Sequence, residues 1–159
     1  MKRILVIDPD KCVGCGTCAL ACSSIHFEEF TPGKSGIFPV PIRRINYNIP
    51  TVCMHCSEPP CLDVCPVQAI SKDDNTGIVS SDSNRCIGCR MCTIVCPLGA
   101  ISINPNTQKT IKCDLCGAEP SCEKVCGYGA LTFVSVFDDA LNKRKKGMEK
   151  IFKTIQLYL

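Results

Sequence analysis

Sixteen cysteines in 159 residues fall into four quartets with none left over. They are Cys12, Cys15, Cys18 and Cys22; Cys53, Cys56, Cys61 and Cys65; Cys86, Cys89, Cys92 and Cys96; and Cys113, Cys116, Cys122 and Cys126. The first and third quartets read CxxCxxCxxxC. The second stretches the middle gap to four residues and the fourth to five, yet every quartet opens on CxxC and closes on CxxxC. The repeat runs past the cysteines, because Cys65 opens CPVQAI, Cys96 opens CPLGAI and Cys126 opens CGYGAL, each with Ala four residues on and Ile or Leu five on. Similar units are therefore reused along the chain. Trp is absent, and 11 Gly and 11 Pro break up the apolar residues, so an ordinary packed core is thin for this length. Whatever the cysteines hold must complete it.

Cysteine at this density means either disulfides or metal. The N-terminus MKRILVIDPDKC has only Ile4 to Ile7 as an apolar run before Asp8 and Pro9, too short for a signal peptide. No stretch approaches the roughly 18 apolar residues of a membrane span. The expectation is a chain of the reducing cytoplasm, membrane-associated only through a partner, in which clustered thiols are metal ligands. Structural zinc takes two separated CxxC pairs, and a third cysteine at equal spacing followed by CxxxCP departs from that pattern. CxxCxxCxxxCP fits a 4Fe-4S cubane: three thiolates of a tight loop reach three irons, and the fourth cysteine, on the helix beyond, serves the other cluster of a pair. A cubane with four thiolates carries about -2, so four of them turn the formal +3 of the polypeptide into about -5. Nucleic acid is therefore not an expected partner.

Short apolar runs at Ile4–Ile7, Ala69–Ser71, Ile78–Ser80, Ile101–Ile103 and Ala130–Val136 read as small strands. The turn-rich Lys72-Asp73-Asp74-Asn75-Thr76-Gly77 reads as a hairpin connection. Short helices are predicted to start near the third and fourth cysteines of each quartet. Residues His26 to Pro50 read as an irregular loop with one strand. Residues 138–159 place Met148, Ile151, Phe152, Ile155 and Leu159 at helical spacing behind Lys143-Arg144-Lys145-Lys146, an amphipathic helix suited to cover this protein or a partner.

CMHCSEPPCLDVCP at Cys53 to Pro66 and CIGCRMCTIVCP at Cys86 to Pro97 are the segments in which the chain resembles a known family. It is similar, over about Asp8 to Phe133, to the four-cluster ferredoxin-like subunits of molybdenum or tungsten pterin oxidoreductases such as dimethyl sulfoxide reductase and formate dehydrogenase. Related subunits serve tungsten aldehyde oxidoreductases, hydrogenases and carbon monoxide dehydrogenase. The resemblance implies four 4Fe-4S clusters in nested pairs: Cys12, Cys15 and Cys18 with Cys126; Cys113, Cys116 and Cys122 with Cys22; Cys53, Cys56 and Cys61 with Cys96; and Cys86, Cys89 and Cys92 with Cys65. Both inner quartets end in CP, whereas Ser23 and Gly127 follow the outer ones. Spacing alone leaves sequential pairing open.

The expected fold is α+β, small and loop-rich, with one ferredoxin-like unit (48–105) inserted in another (1–47 and 106–137) and a C-terminal helix (138–159). The implied function is that of a subunit without its own substrate site, passing single electrons between a catalytic partner and a further flavin or ferredoxin carrier. The favoured partner is a molybdenum or tungsten pterin enzyme such as an aldehyde oxidoreductase. The alternatives are a free polyferredoxin, or a subunit of a hydrogenase or carbon monoxide dehydrogenase. Lys11, Arg85 and Lys112 each precede the first cysteine of a quartet, where a cation favours the more negative reduced cluster, so the quartet preceded by Val52 is expected to hold the lower potential. His55 and His26 are expected to pack rather than to ligate. Pro59-Pro60 and Glu119-Pro120 are expected to stiffen the two enlarged loops.

Overall fold

The computed structural model describes residues 3–135, 145–149, 151–153 and 156. Its described strands pair as four separate two-stranded antiparallel ribbons, giving the small, loop-rich α+β architecture expected. Strand β1 (Arg3–Ile7) pairs with β8 (Leu131–Ser135), with Leu5 opposite Phe133 and Ile7 opposite Leu131. Those four side chains are buried, as alternate positions of a half-buried ribbon should be. The pairing joins the beginning of the chain to its last described strand.

The segment read as irregular with one strand instead forms a second ribbon, β2 (Ile37–Ile42) with β3 (Tyr47–Val52). Prolines concealed it. Pro39 faces Pro50 and Pro41 faces Asn48, so all three prolines occupy alternate pairs of the ladder, where the N–H points away from the partner and is not missed. The third ribbon pairs β4 (Ile70–Lys72) with β5 (Val79–Ser81), each one residue later than expected. Their turn is held by Asp73, whose carboxylate accepts from the Thr76 N–H at 2.7 Å. The fourth pairs β6 (Ile101–Ile103) with β7 (Thr110–Lys112), a strand absent from the sequence reading. Asn104 holds that turn as Asp73 holds the other, accepting from the N–H groups of Asn106 and Thr107.

Four helices follow one rule: α1 (Thr17–Phe27), α2 (Pro60–Asp63), α3 (Met91–Val95) and α4 (Ser121–Lys124) each begin one residue before the third cysteine of a quartet. Two different devices launch them. In the tight CxxCxxC loops the preceding residue is left-handed, Gly16 at φ 76° and Arg90 at φ 64°. In the enlarged loops it is Pro59 or Pro120, whose rings preset the chain for the turn that follows. Helix α1 packs on α4, and α2 on α3.

Two apolar cores result. The first gathers Leu5, Ile7, Ile37, Ile49, Val52, Leu115, Leu131, Phe133 and Ile151 around Cys22 and Cys122. The second holds Ile70, Val79 and Ile101 around Cys61 and Cys92. Near the C-terminus, residues 145–149 and 151–153 are helical, with Ile151 buried, Met148 packed on the first core and Phe152 exposed. Apart from Gln156, the remainder of the amphipathic helix predicted over 138–159, Ile155 and Leu159 included, lies outside the described residues. No described helix is long and apolar enough to cross a membrane.

Candidate metal centres

Each quartet opens with the same backbone gesture. The third residue of every CxxC is left-handed: Gly14 at φ 71°, His55 at 46°, Gly88 at 73° and Leu115 at 58°. That twist turns its N–H back onto the sulfur of the first cysteine, at 3.3 Å from His55 N to Cys53 Sγ and 3.4 Å from Leu115 N to Cys113 Sγ. The N–H groups of Gly14 and Gly88 act on Cys12 and Cys86 in the same sense, favouring the thiolate. Glycine is required at two of the four places. A Cβ on Gly14 would stand 2.5 Å from Asn48 Oδ1, and one on Gly88 2.7 Å from the Gln108 carbonyl oxygen. At the other two, the side chain is anchored in the interior: His55 Nδ1 accepts from the Val79 N–H at 3.0 Å, and Leu115 is buried. His55 thus packs as expected and ties β5 to the second loop.

The repeat beyond the fourth cysteine also has a physical role. The N–H of the Ala four residues on donates to the cysteine sulfur, from Ala69 to Cys65 at 3.2 Å and from Ala100 to Cys96 at 3.4 Å. Gly36 N–H does the same for Cys22 at 3.3 Å.

All sixteen thiols are free. Cys12, Cys15, Cys18 and Cys126 line one cavity, Cys53, Cys56, Cys61 and Cys96 a second, and Cys65, Cys86, Cys89 and Cys92 a third. The remaining four are mutual neighbours: Cys22 and Cys122 bear on Cys113, and Cys22 and Cys116 on Cys122. The exchange of the last cysteine between quartets follows from the packing of α1 on α4 and α2 on α3. Cys122 also feels Cys18, and Cys113 feels Cys53, so the first group adjoins the set around Cys113, which adjoins the set around Cys53. Only Cys15 and Cys89 are exposed.

Charged neighbours are not where their sequence positions suggest. Lys112 is 8% exposed, and its ammonium lies 2.9 Å from Cys53 Sγ, while also donating to the Val79 carbonyl. It therefore serves the thiols of the second quartet, the one preceded by Val52, and the expected order of potentials loses its basis. Strand geometry explains this: Lys112 ends β7, so its side chain and the following Cys113 leave on opposite faces. Lys11 is half offset by Asp8 at 3.6 Å, and the exposed Arg85 donates to the Val67 carbonyl. His26, expected only to pack, lies 3.5 Å from Cys116 Sγ and 3.4 Å from Asp114 Oδ1. The bond to Cys116 raises the imidazole above its usual pKa against the opposing effect of burial, and Asp114 adds to the rise. The same bond lowers the Cys116 thiol. His26, Asp114 and Cys116 could grip an ion by distance, but Cys116 already belongs to a group of four thiols. Thr110 was also missed, with its hydroxyl 3.3 Å from Cys92 Sγ. Both Thr110 and Lys112 sit on β7, so recognising that strand opposite Ile101–Ile103 would have revealed them.

These surroundings fit iron-sulfur cubanes. Burial first and neighbouring thiolates second push Cys18 up to about 11 and Cys122 up to about 12, and both push Cys113 in the same direction. Four thiolates in one such pocket repel one another unless cations lie between them, which is the service iron provides. Inward N–H groups match the sulfur acceptors of a cluster site. Four sulfurs per group saturate a cube.

Comparison with known proteins agrees. Residues 45–136 match the 4Fe-4S dicluster domain family, and residues 5–23 a 4Fe-4S binding domain. The chain is 35% identical over 139 residues to the aliphatic sulfonate oxidoreductase polyferredoxin-like subunit of Pyrococcus furiosus, covering 82% of this chain and 77% of that one. It is 32% identical over 188 residues to formate hydrogenlyase subunit 2 of Escherichia coli, covering 92% and 89%. In fold it resembles a chain of the solved active-site complex BamBC of benzoyl coenzyme A reductase, with a TM-score of 0.50 at 22% identity over 95% or less of either chain: 94% of this one and 90% of that one. The chain belongs to the 4Fe-4S dicluster ferredoxin family and is an iron-sulfur electron-transfer protein that binds multiple 4Fe-4S clusters.

Proposed function

We propose that this chain is the electron-relay subunit of a cytoplasmic oxidoreductase complex, holding four 4Fe-4S clusters. The observation that carries the reading is the gathering of sixteen free thiols into four groups of four. The groups support nested ligation, with Cys12, Cys15, Cys18 and Cys126 on one cluster and Cys22, Cys113, Cys116 and Cys122 on the next. Cys53, Cys56, Cys61 and Cys96 would hold the third, and Cys65, Cys86, Cys89 and Cys92 the fourth. The pairing of β1 with β8 supports an outer unit of 1–47 and 106–137 around an inner unit of 48–105. When bound, each cubane supplies one-electron chemistry between its +2 and +1 core states. The chain's own residues fix the thiols, bury Cys22, Cys61, Cys92 and Cys122 and set the local charge through Lys112 and the inward N–H groups.

With every thiol group saturated, substrate chemistry belongs to a catalytic partner. The family resemblance favours a molybdenum or tungsten pterin enzyme of the aldehyde oxidoreductase kind, the sulfonate oxidoreductase relative supports an oxidoreductase partner in general, and the amphipathic segment predicted over 138–159 would help dock it. The formate hydrogenlyase relative supports a second reading, a hydrogenase-type complex. Anaerobic purification separates these. The expected preparation is brown, contains about 16 irons per chain and carries a large subunit with tungsten or molybdenum. Nickel in that subunit would select the hydrogenase reading, and a colourless chain without acid-labile sulfide would refute both.

A further inference from the structure

The two exposed thiols belong to different groups of four. Val13 and Tyr128, both exposed, line the cavity that holds Cys15. Lys11, which lines the same cavity, pairs with Asp8 at 3.6 Å, and Lys124, two residues before Cys126, pairs with Glu119 at 3.0 Å. Around Cys89 stand Ile87 at 65%, Met91 at 45% and Ile94 at 76% exposure, an apolar centre on the loop and first turn of α3. Its cations meet only neutral acceptors: Arg85 the Val67 carbonyl, Arg90 the Gln108 side-chain oxygen, and Lys109 the Ser83 carbonyl. Among the described residues none of these three forms an ion pair. No acid occurs between Ser83 and Ile94, and the adjacent Asp82 caps its own turn through the Asn84 N–H.

We propose that the face over Cys89 is the docking site for an acidic one-electron carrier protein. The inference rests on the four-cluster reading, which makes the iron-loaded chain net negative at about -5. An acidic carrier is then repelled by the molecule as a whole and accepted only where fixed cations locally reverse the field. The face over Cys89 has three such cations, each without an acid partner among the described residues. The apolar centre suits the partner as well. Three exposed side chains ringed by charge bury little area, which suits a transient encounter whose on-rate is electrostatic, and Met91 adapts to varied surfaces. One electron leaves the reduced carrier and enters this chain, or the reverse, with no bond made or broken.

The test is anaerobic stopped-flow oxidation of a reduced acidic 4Fe-4S ferredoxin by the full-length iron-loaded chain, as a function of salt. The wild-type second-order rate constant is expected to fall about tenfold from low to high ionic strength. Arg85→Gln/Arg90→Gln/Lys109→Gln is expected to be about tenfold slower at low salt and nearly salt-independent. Ile94→Glu, on an exposed position where folding is not at issue, should slow the reaction at least about fivefold. Lys124→Gln should stay within about twofold, and reduction by the methyl viologen radical cation should not slow in any variant. Unchanged rates and salt slope in both the triple variant and Ile94→Glu would overturn the proposal, as would an equal loss in Lys124→Gln. Iron is counted on every protein. A wild-type count far below about 16 refutes the four-cluster reading itself, whereas a full count with unchanged rates refutes the docking face alone.

Discussion

Nine of the eleven buried residues named for the first core are not cysteine, and they come from β1, β2, β3, β8, the Cys113 loop and the C-terminal helical residues. The second core has only Ile70, Val79 and Ile101 beside its two cysteines, on strands three residues long. Apolar burial therefore holds much of the first region in place independently of its thiols, while the second leaves ordering of its loops mainly to whatever its thiols bind. Within one fold, the same cysteine motif is an addition to a core in one place and a substitute for a core in the other.

Removing iron and sulfide breaks this comparison most directly. The expected result is complete loss of amide-exchange protection across 53–112 while β1 and β8 keep part of theirs; simultaneous loss of both would show that the first core is equally metal-dependent. Next in size, Phe133→Ala should destabilise the first region by about 3–5 kcal/mol, because it empties the strand pair and removes the ring beneath the Arg3 guanidinium. Denaturant unfolding of the iron-loaded protein measures this, and cysteine-to-iron charge-transfer absorbance should follow the same transition only for the thiols of that core.

Lys112 sharpens the comparison, because it bridges the two regions from β7 to Cys53. Lys112→Met should lower the potential of one cluster by on the order of 60 mV, with Lys112→Arg recovering most of it. Potentiometric titration followed by electron paramagnetic resonance reads the shift, and an unchanged set of potentials would mean that the ammonium only packs. The smallest effect belongs to His26. Its folded pKa is raised, so its contribution is fully present below the ordinary pKa near 6.5 and is lost as pH rises through the raised value. His26→Ala should therefore destabilise at pH 6 by under about 1 kcal/mol and be neutral at pH 8.5. An equal cost at both pH values would assign His26 to packing alone.

Spacing made the loops legible because cluster chemistry is local. CxxC with a left-handed third residue, a helix beginning beside the third cysteine and an inward N–H from the fourth-plus-four Ala all lie within one short stretch of chain. Ribbons with short apolar strands were legible too, except where proline concealed β2 and β3 and where Thr-Ile-Lys was too short to stand out as β7. The targets of charged side chains were not legible. Lys112 was read beside Cys113, yet reaches a cysteine 59 residues away, because neighbouring positions on a strand face opposite ways.

The chain's order of residues by itself determined that sixteen thiols form four metal-binding loops, since ligand spacing is a matter of a few backbone dihedrals. Which thiols share a cavity, which two reach the surface and which cation stands beside them depended on α1 meeting α4, α2 meeting α3 and β1 meeting β8. Those contacts join segments far apart in the chain, and only the packed tertiary structure decides them.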